Sequence, residues 1–92
     1  MLNPNENGAF ETLFGYFDEH ENDLYILLFA NGNKTTARFD TSYESDNELE
    51  LDDPNYEEFD SIVMRNEETG KLFEFNYHNM PIEVYSKGRR II

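Results

Sequence analysis

Carboxylates are the side chains with the most chemical potential in this sequence, and they concentrate in residues 44–60. Nine of these seventeen residues are acidic and none is basic. Alternate positions of this acidic tract carry an acid, which is typical of a β-strand whose carboxylates line one face at intervals of roughly 6.6 Å. Leu49 and Leu51 stand between the last of these acids and are expected to dock inward. The alternating acids are Glu44, Asp46, Glu48, Glu50 and Asp52.

An acidic strand can serve three purposes. On a sheet edge, its charges prevent sheet-to-sheet aggregation and keep the protein soluble. Its regularly spaced carboxylates could instead bind a Lys/Arg-rich protein surface or replace a phosphate backbone. The third purpose is a calcium site, because carboxylate and amide oxygens are the ligands that calcium takes. The oxygen ligands for such a site are Asp46, Asn47, Asp52, Asp53 and Asn55, but the EF-hand spacing with its central glycine is absent and Pro54 interrupts them.

The overall charge favours a protein partner. Twenty acids and seven bases give a formal net charge of −13, which disfavours nucleic acid and anionic membranes because both are bound through Lys and Arg. We therefore predict a basic protein surface as the partner and the five alternating acids as the binding residues, with no metal. Small acidic inhibitors, immunity proteins and DNA mimics are similar in this composition, although no motif of such a family is present. The alternatives are a DNA-mimic inhibitor of a nucleic-acid-binding protein and a β domain that binds a small ligand.

Catalytic chemistry is not indicated. The sequence has no cysteine, which excludes disulfides, thiolate zinc sites and cysteine nucleophiles. No nucleophile–base pair, metal cluster or phosphate loop has a recognisable spacing. His20 and His78 are far apart in the chain and are each predicted to lie on the surface, His78 on the outer face of a strand. We predict that the protein is not an enzyme and has no cofactor.

One stretch is similar to the first signature of the Sm-like RNA-binding proteins. Phe39-Asp40 is followed by Asn47 and then by the alternating Leu49 and Leu51. The gap before Asn47 is longer than in that signature, and the Ile-Arg-Gly of the second signature is absent. The resemblance implies a small barrel of bent strands, and it assigns no uridine-binding role to Asp40 or Asn47.

A first hairpin is predicted over residues 24–43, because the apolar residues 24–30 are followed by Asn31-Gly32, which supply the positive φ of a tight turn. If these two residues alone form the turn, one face of the hairpin is apolar throughout. Its cross-strand pairs are Leu24 with Phe39, Ile26 with Ala37 and Leu28 with Thr35. The opposite face carries Tyr25, Leu27 and Phe29, and the N-terminal segment is expected to cover part of it.

A second hairpin is predicted over residues 59–79, with Gly70 as the left-handed residue of a bulged turn. Counting back from that turn gives its pairing. The predicted core pairs are Met64 with Phe73, Ile62 with Phe75 and Asp60 with Tyr77; the outer pairs are Val63 with Glu74, Arg65 with Leu72 and Phe59 with His78.

Residues 1–23 fit two structures. The spacing of Phe10, Leu13, Phe14 and Phe17 is that of an amphipathic helix, which Asn3, Pro4 and Glu6 could cap. The alternation of Phe10, Thr12, Phe14 and Tyr16 also suits a strand. The sequence leaves both open.

The chain is predicted to be a single domain of residues 1–92, with the acidic tract and its loop at 44–58 between the two hairpins. Residues 80–92 form a last edge strand, which begins at Pro81, and a basic tail with Lys87, Arg89 and Arg90. We predict a mainly β fold, an antiparallel meander of five to six strands curled into a half-open barrel, with a short N-terminal helix as the open alternative. A cytoplasmic location is expected, because no signal peptide is recognisable.

Overall fold

In a computed structural model, which describes residues 8–92, these residues form one antiparallel sheet and one helix. The sheet is open and has the strand order β4-β3-β2-β1-β5-β6. The predicted mainly β class with five to six antiparallel strands and a short helix is confirmed. No helix within residues 8–92 is long and apolar enough to cross a membrane. The elements are α1 (Ala9–Glu19), β1 (Leu24–Leu28), β2 (Lys34–Asp46), β3 (Glu58–Asn66), β4 (Leu72–Phe75), β5 (Glu83–Ser86) and β6 (Arg89–Arg90).

Helix α1 decides the alternative at the N-terminus. Phe10, Leu13 and Phe17, at helical spacing, are buried against the sheet. Phe17 meets the Tyr25 ring edge-on, with 4.6 Å between ring centroids, and stacks on Phe39 at 5.5 Å. Burial of this apolar stripe outweighs the modest helix propensity of its aromatic residues. The predicted cap at Asn3, Pro4 and Glu6 lies outside the described residues.

The first hairpin has a different register from the predicted one. Its loop contains three residues, because the Phe29 N–H donates to the Asn33 carbonyl at 2.9 Å, and Gly32 adopts a φ of 88°. A third loop residue shifts the pairing between β1 and β2 by one position. The opposite set of β1 side chains then lies beside a given face of β2. The predicted pairing was therefore wrong, but the expected cover by the N-terminal segment is confirmed: Tyr25 and Leu27 are fully buried, and Phe17 of α1 packs on Tyr25. The observed pairs include Tyr25 with Ala37 and Leu27 with Thr35, whereas Leu24 and Ile26 are exposed on the other side.

The second hairpin was predicted correctly as far as β4 extends. Four of its predicted pairs are confirmed, and Gly70 has a φ of 73°. Strand β4 ends at Phe75, because the Asn76 side chain accepts the His78 N–H at 2.8 Å and the Asn76 N–H donates to the Asn79 side chain. The predicted pairs of Asp60 with Tyr77 and of Phe59 with His78 were therefore wrong. The confirmed pairs are Met64 with Phe73, Ile62 with Phe75, Val63 with Glu74 and Arg65 with Leu72.

The C-terminal strand is not the sheet edge that was predicted. Strand β5 pairs with β1 on one side and with β6 on the other. Pro81 is buried and precedes β5, so its missing N–H removes no hydrogen bond from the sheet. The predicted basic tail folds back on β5, where Arg89 pairs with Ser86 and Arg90 with Tyr85.

Candidate functional site

The long hairpin of β2 and β3 extends beyond the rest of the sheet. Strand β1 pairs with β2 only as far as Arg38, and β4 pairs with β3 only from Ile62 to Arg65. Beyond these points the two strands continue as a pair, and residues 47–57 join them. We call residues 43–61 the acidic arm. It contains all nine carboxylates of the acidic tract.

Like charges face each other across the two strands of the acidic arm. Glu44 is paired with Asp60, and Asp46 with Glu58. Directly opposed residues of an antiparallel pair point to the same face, and like charges in that position destabilise a sheet by roughly 0.2–1 kcal/mol. Burial, and secondly the charge of Glu44, raise the pKa of Asp60 above its usual range. The arm thus concentrates carboxylates on one face of the paired strands.

The predicted row of five alternating carboxylates is interrupted after Asp46. Glu44 and Asp46 lie on β2, but Glu48 has a φ of 66° and turns the chain out of the strand. Glu48, Glu50 and Asp52 are exposed in the loop of the arm. The predicted acidic strand over all five positions was therefore wrong. The structure instead places Glu44 and Asp46 beside Glu58 and Asp60, and the binding role of the five predicted acids stays a prediction.

The two leucines of the acidic tract do not dock inward as predicted. Leu49 is 41% exposed and Leu51 is 79% exposed. Leu51 follows Glu50 in a turn that is closed by the Asp53 N–H donating to the Glu50 carbonyl at 3.0 Å. A strand would have sent both leucines to one face of the sheet, whereas the turn directs Leu51 into solvent.

Asn47 organises the loop of the arm, a role that the sequence analysis missed. Its side-chain amide donates to the Asn55 carbonyl at 2.7 Å. Its side-chain oxygen accepts the N–H groups of Leu49 and Glu57 at 3.4 and 3.3 Å. The Asn47 N–H also donates to the Glu57 carbonyl at 3.2 Å. The signal was present in the composition, since Asn and Asp side chains bind nearby backbone groups in turns.

Aromatic side chains brace the base of the arm against the turn that follows β4. Glu57 accepts a hydrogen bond from the Tyr77 hydroxyl, and its other oxygen lies 2.9 Å from His78 Nε2. Phe59 meets the His78 ring edge-on at 5.8 Å between centroids. His78 is exposed, as predicted, but it lies in a turn and not on a strand. This contact fixes where the arm leaves the sheet.

The basic side chains with ion pairs lie outside the arm. Arg38 pairs with Glu67 at 2.9 Å, Arg65 with Asp40 at 3.5 Å and Lys87 with Asp23 at 3.4 Å. Residues 39–64 contain no Lys or Arg. Within residues 8–92, no group of three or more His, Asp or Glu side chains is arranged to hold a metal ion. The arrangement of the arm suits electrostatic attraction of a cationic surface.

Comparison with known proteins assigns the chain to a family. A family model described as cognate immunity protein YxxD matches residues 9–80. Searches of curated proteins and of solved structures found no match. The matched residues include helix α1, the whole acidic arm and the turn that braces it. An immunity family implies a small protein that works by protein–protein interaction, and this chain belongs to the family of cognate immunity proteins YxxD.

Proposed function

We propose that this protein binds a cognate toxin protein and blocks its action. The acidic arm makes the contact, and its target is a basic surface of the toxin. The observation that carries this proposal is the direct opposition of Glu44 with Asp60 and of Asp46 with Glu58. Carboxylates clustered on one face of two paired strands attract a cationic surface more strongly than isolated ones do. A basic surface laid against this face meets several of them at once.

The charge distribution supports the same contact. Nine carboxylates project from one part of the molecule, and the ion-paired Arg and Lys residues lie elsewhere. Such an asymmetric field accelerates association with a basic partner and makes the rate depend on salt. Inhibition by binding needs no catalytic group, and we propose that the protein is not an enzyme.

The alternatives from sequence are less well supported by the geometry. A small-ligand domain depended on an interior enclosed by a curled sheet, and the sheet is open. A DNA mimic needs an extended row of negative charges, and the alternating row ends at Asp46. The toxin surface that the arm covers could still be one that binds nucleic acid, which a competition experiment with the purified toxin would show.

The test compares the wild-type protein with Glu48→Lys/Glu50→Lys as bait in a pull-down from the native source. Both residues are exposed in the loop, so reversing their charge should leave the fold intact. We expect the variant to lose the partner, and the captured, purified partner to bind the wild type less tightly as salt rises. The matched control is Glu19→Lys/Glu21→Lys, which changes the net charge equally at exposed positions outside the arm. Identical partners for all three baits, or none for any, would refute the role of the arm.

A further inference from the structure

Leu51 is an exception to the polar surface around it. It is 79% exposed, the highest fraction among the large hydrophobic residues of the part that the structure describes. Leu49, two residues earlier, is 41% exposed. Glu48, Glu50 and Asp52 flank the two leucines in the sequence. The tip of the acidic arm, residues 48–52, therefore carries two exposed leucines that alternate with carboxylates in the sequence.

A comparison of two consecutive turns shows that the turn itself does not require a leucine. In the second turn the Tyr56 N–H donates to the Asp53 carbonyl at 2.9 Å, and its inner residues are Pro54 and Asn55. Pro and Asn suit such positions because of their backbone preferences. The first turn, from Glu50 to Asp53, has Leu51 at the position that Pro54 occupies in the second. A leucine there gains nothing from the turn and exposes its side chain to water.

Leu51 lies in a loop that several hydrogen bonds hold in place. The side chain of Asn47 bonds to backbone groups on both sides of the loop, at Leu49 and at Asn55 and Glu57. The Asp53 side chain accepts the Asn55 N–H at 2.8 Å in addition. A loop held in this way loses little conformational entropy when it binds. The loop thus holds the leucines in a fixed, exposed position before the contact with the partner forms.

We propose that Leu51, with Leu49 beside it, is an apolar anchor that enters an apolar pocket rimmed by Lys and Arg on the toxin. This inference rests on the proposed function and names the surface that the arm recognises. The rim of this pocket is expected to be basic by charge complementarity, since an acid precedes and follows each leucine. We expect the floor of this pocket on the toxin to be apolar, because moving the Leu51 side chain from water to an apolar surface is favourable.

The two kinds of side chain have separable effects on the binding kinetics. Rim charges change mainly the association rate and its salt dependence, whereas buried anchors change mainly the dissociation rate. Central apolar anchors surrounded by polar contacts account for much of the affinity of many interfaces. Leu51 is therefore expected to set the lifetime of the complex, and Glu48 and Glu50 the rate at which it forms.

The test is a kinetic measurement by surface plasmon resonance with the purified protein that wild type captures from the native source. Leu51→Ala should dissociate roughly tenfold faster, with a nearly unchanged association rate, because several buried methyl and methylene groups are lost. Leu51→Met, which keeps an apolar side chain of similar volume, should restore most of the lifetime. Leu72→Ala is the matched control, since Leu72 is 53% exposed on β4, outside the arm. Melting temperatures confirm that each variant is folded.

The outcomes separate the inference from the proposed function. If Glu48→Lys/Glu50→Lys loses the partner but Leu51→Ala dissociates at the wild-type rate, the arm binds without an anchor and the inference is overturned. An equal effect of Leu72→Ala would overturn it as well, because the apolar contact would not be specific to the tip. If none of these variants changes binding, or wild type captures no partner, the proposed function falls and the anchor with it.

Discussion

The acidic arm and the rest of the protein, which we call the body, follow opposite rules. In the body, a cluster of buried apolar side chains forms the core, and Arg38 and Arg65 have acidic partners in Glu67 and Asp40. In the arm, Leu51 faces solvent and Glu44 faces Asp60. The body thus contains the core of the fold, whereas no residue of the core cluster lies in the arm. This is the arrangement that the proposed contact with a toxin requires.

The strongest test of this difference is a substitution in the core of the body. Phe17→Ala removes a fully buried ring that contacts Tyr25 and Phe39. The expected loss is about 3–5 kcal/mol in the free energy of unfolding, a large part of the total for a small domain. Denaturant unfolding measures it, with Leu51→Ala as the control that should cost almost nothing. Equal losses for the two variants would show that the arm is part of the core.

A smaller effect is expected at Asn47, where hydrogen bonds take the place of apolar packing. Asn47→Ala removes the side chain that links Leu49, Asn55 and Glu57. We expect a loss of about 1–2 kcal/mol and faster hydrogen exchange confined to the amides of residues 48–57. Asn31→Ala is a suitable control, because Asn31 accepts one backbone N–H in the loop of the first hairpin. Unchanged exchange in the arm would mean that Asn47 does not order the loop.

Relieving the opposed charges should stabilise the free protein. Because the pKa of Asp60 is raised in the folded state, ionisation of this carboxyl costs stability as the pH rises above the unfolded value of about 3.9. Asp60→Asn should therefore raise the free energy of unfolding at pH 7 by about 0.2–1 kcal/mol. This advantage should vanish at a pH well below about 3.9, where the wild-type carboxyl is protonated in both states. Asp52→Asn, in the exposed loop, is the control and should show little change.

The smallest expected effect is that of salt on the whole molecule. A net charge of −13 produces self-repulsion that salt screens, so the melting temperature should rise with salt. The increase should be smaller in Asp46→Asn/Asp60→Asn, which removes one charge from each opposed pair of the arm. Thermal melts between low and moderate ionic strength measure both curves. A flat or falling curve for the wild type would contradict the prediction.

The sequence predicted the fold well where local chemistry sets the pairing. Gly70 lies in the turn of the second hairpin, and the register counted back from that turn, which buries Met64 and Ile62, is the observed one. In the first hairpin, Asn31-Gly32 fits a loop of two or three residues, and one residue decides which face of β1 is buried. The buried face of β1 is the one that packs against α1. The residue pattern of the strand alone does not report this contact.

The candidate site was predicted in composition but not in shape. Alternation of Glu44, Asp46 and Glu48 has the period of a strand, yet side-chain hydrogen bonds from Asn47 make the loop more favourable than further strand. The partners of Glu44 and Asp46 are Asp60 and Glu58, twelve or more residues away. No local pattern reports such a long-range pairing. The exposure of Leu51 follows from the same turn and was missed for the same reason.

The way the arm joins the body has a consequence for how such proteins diversify. The side chain of Glu57 connects the loop of the arm, residues 47–57, to the body through His78. The core residues lie on α1 and on strands β1 to β5, outside the arm. Substitutions at the tip can therefore accumulate without loss of foldability. Under the proposed function, one scaffold can in this way acquire a new recognition sequence when its cognate toxin changes, without the loss of stability that core mutations cause.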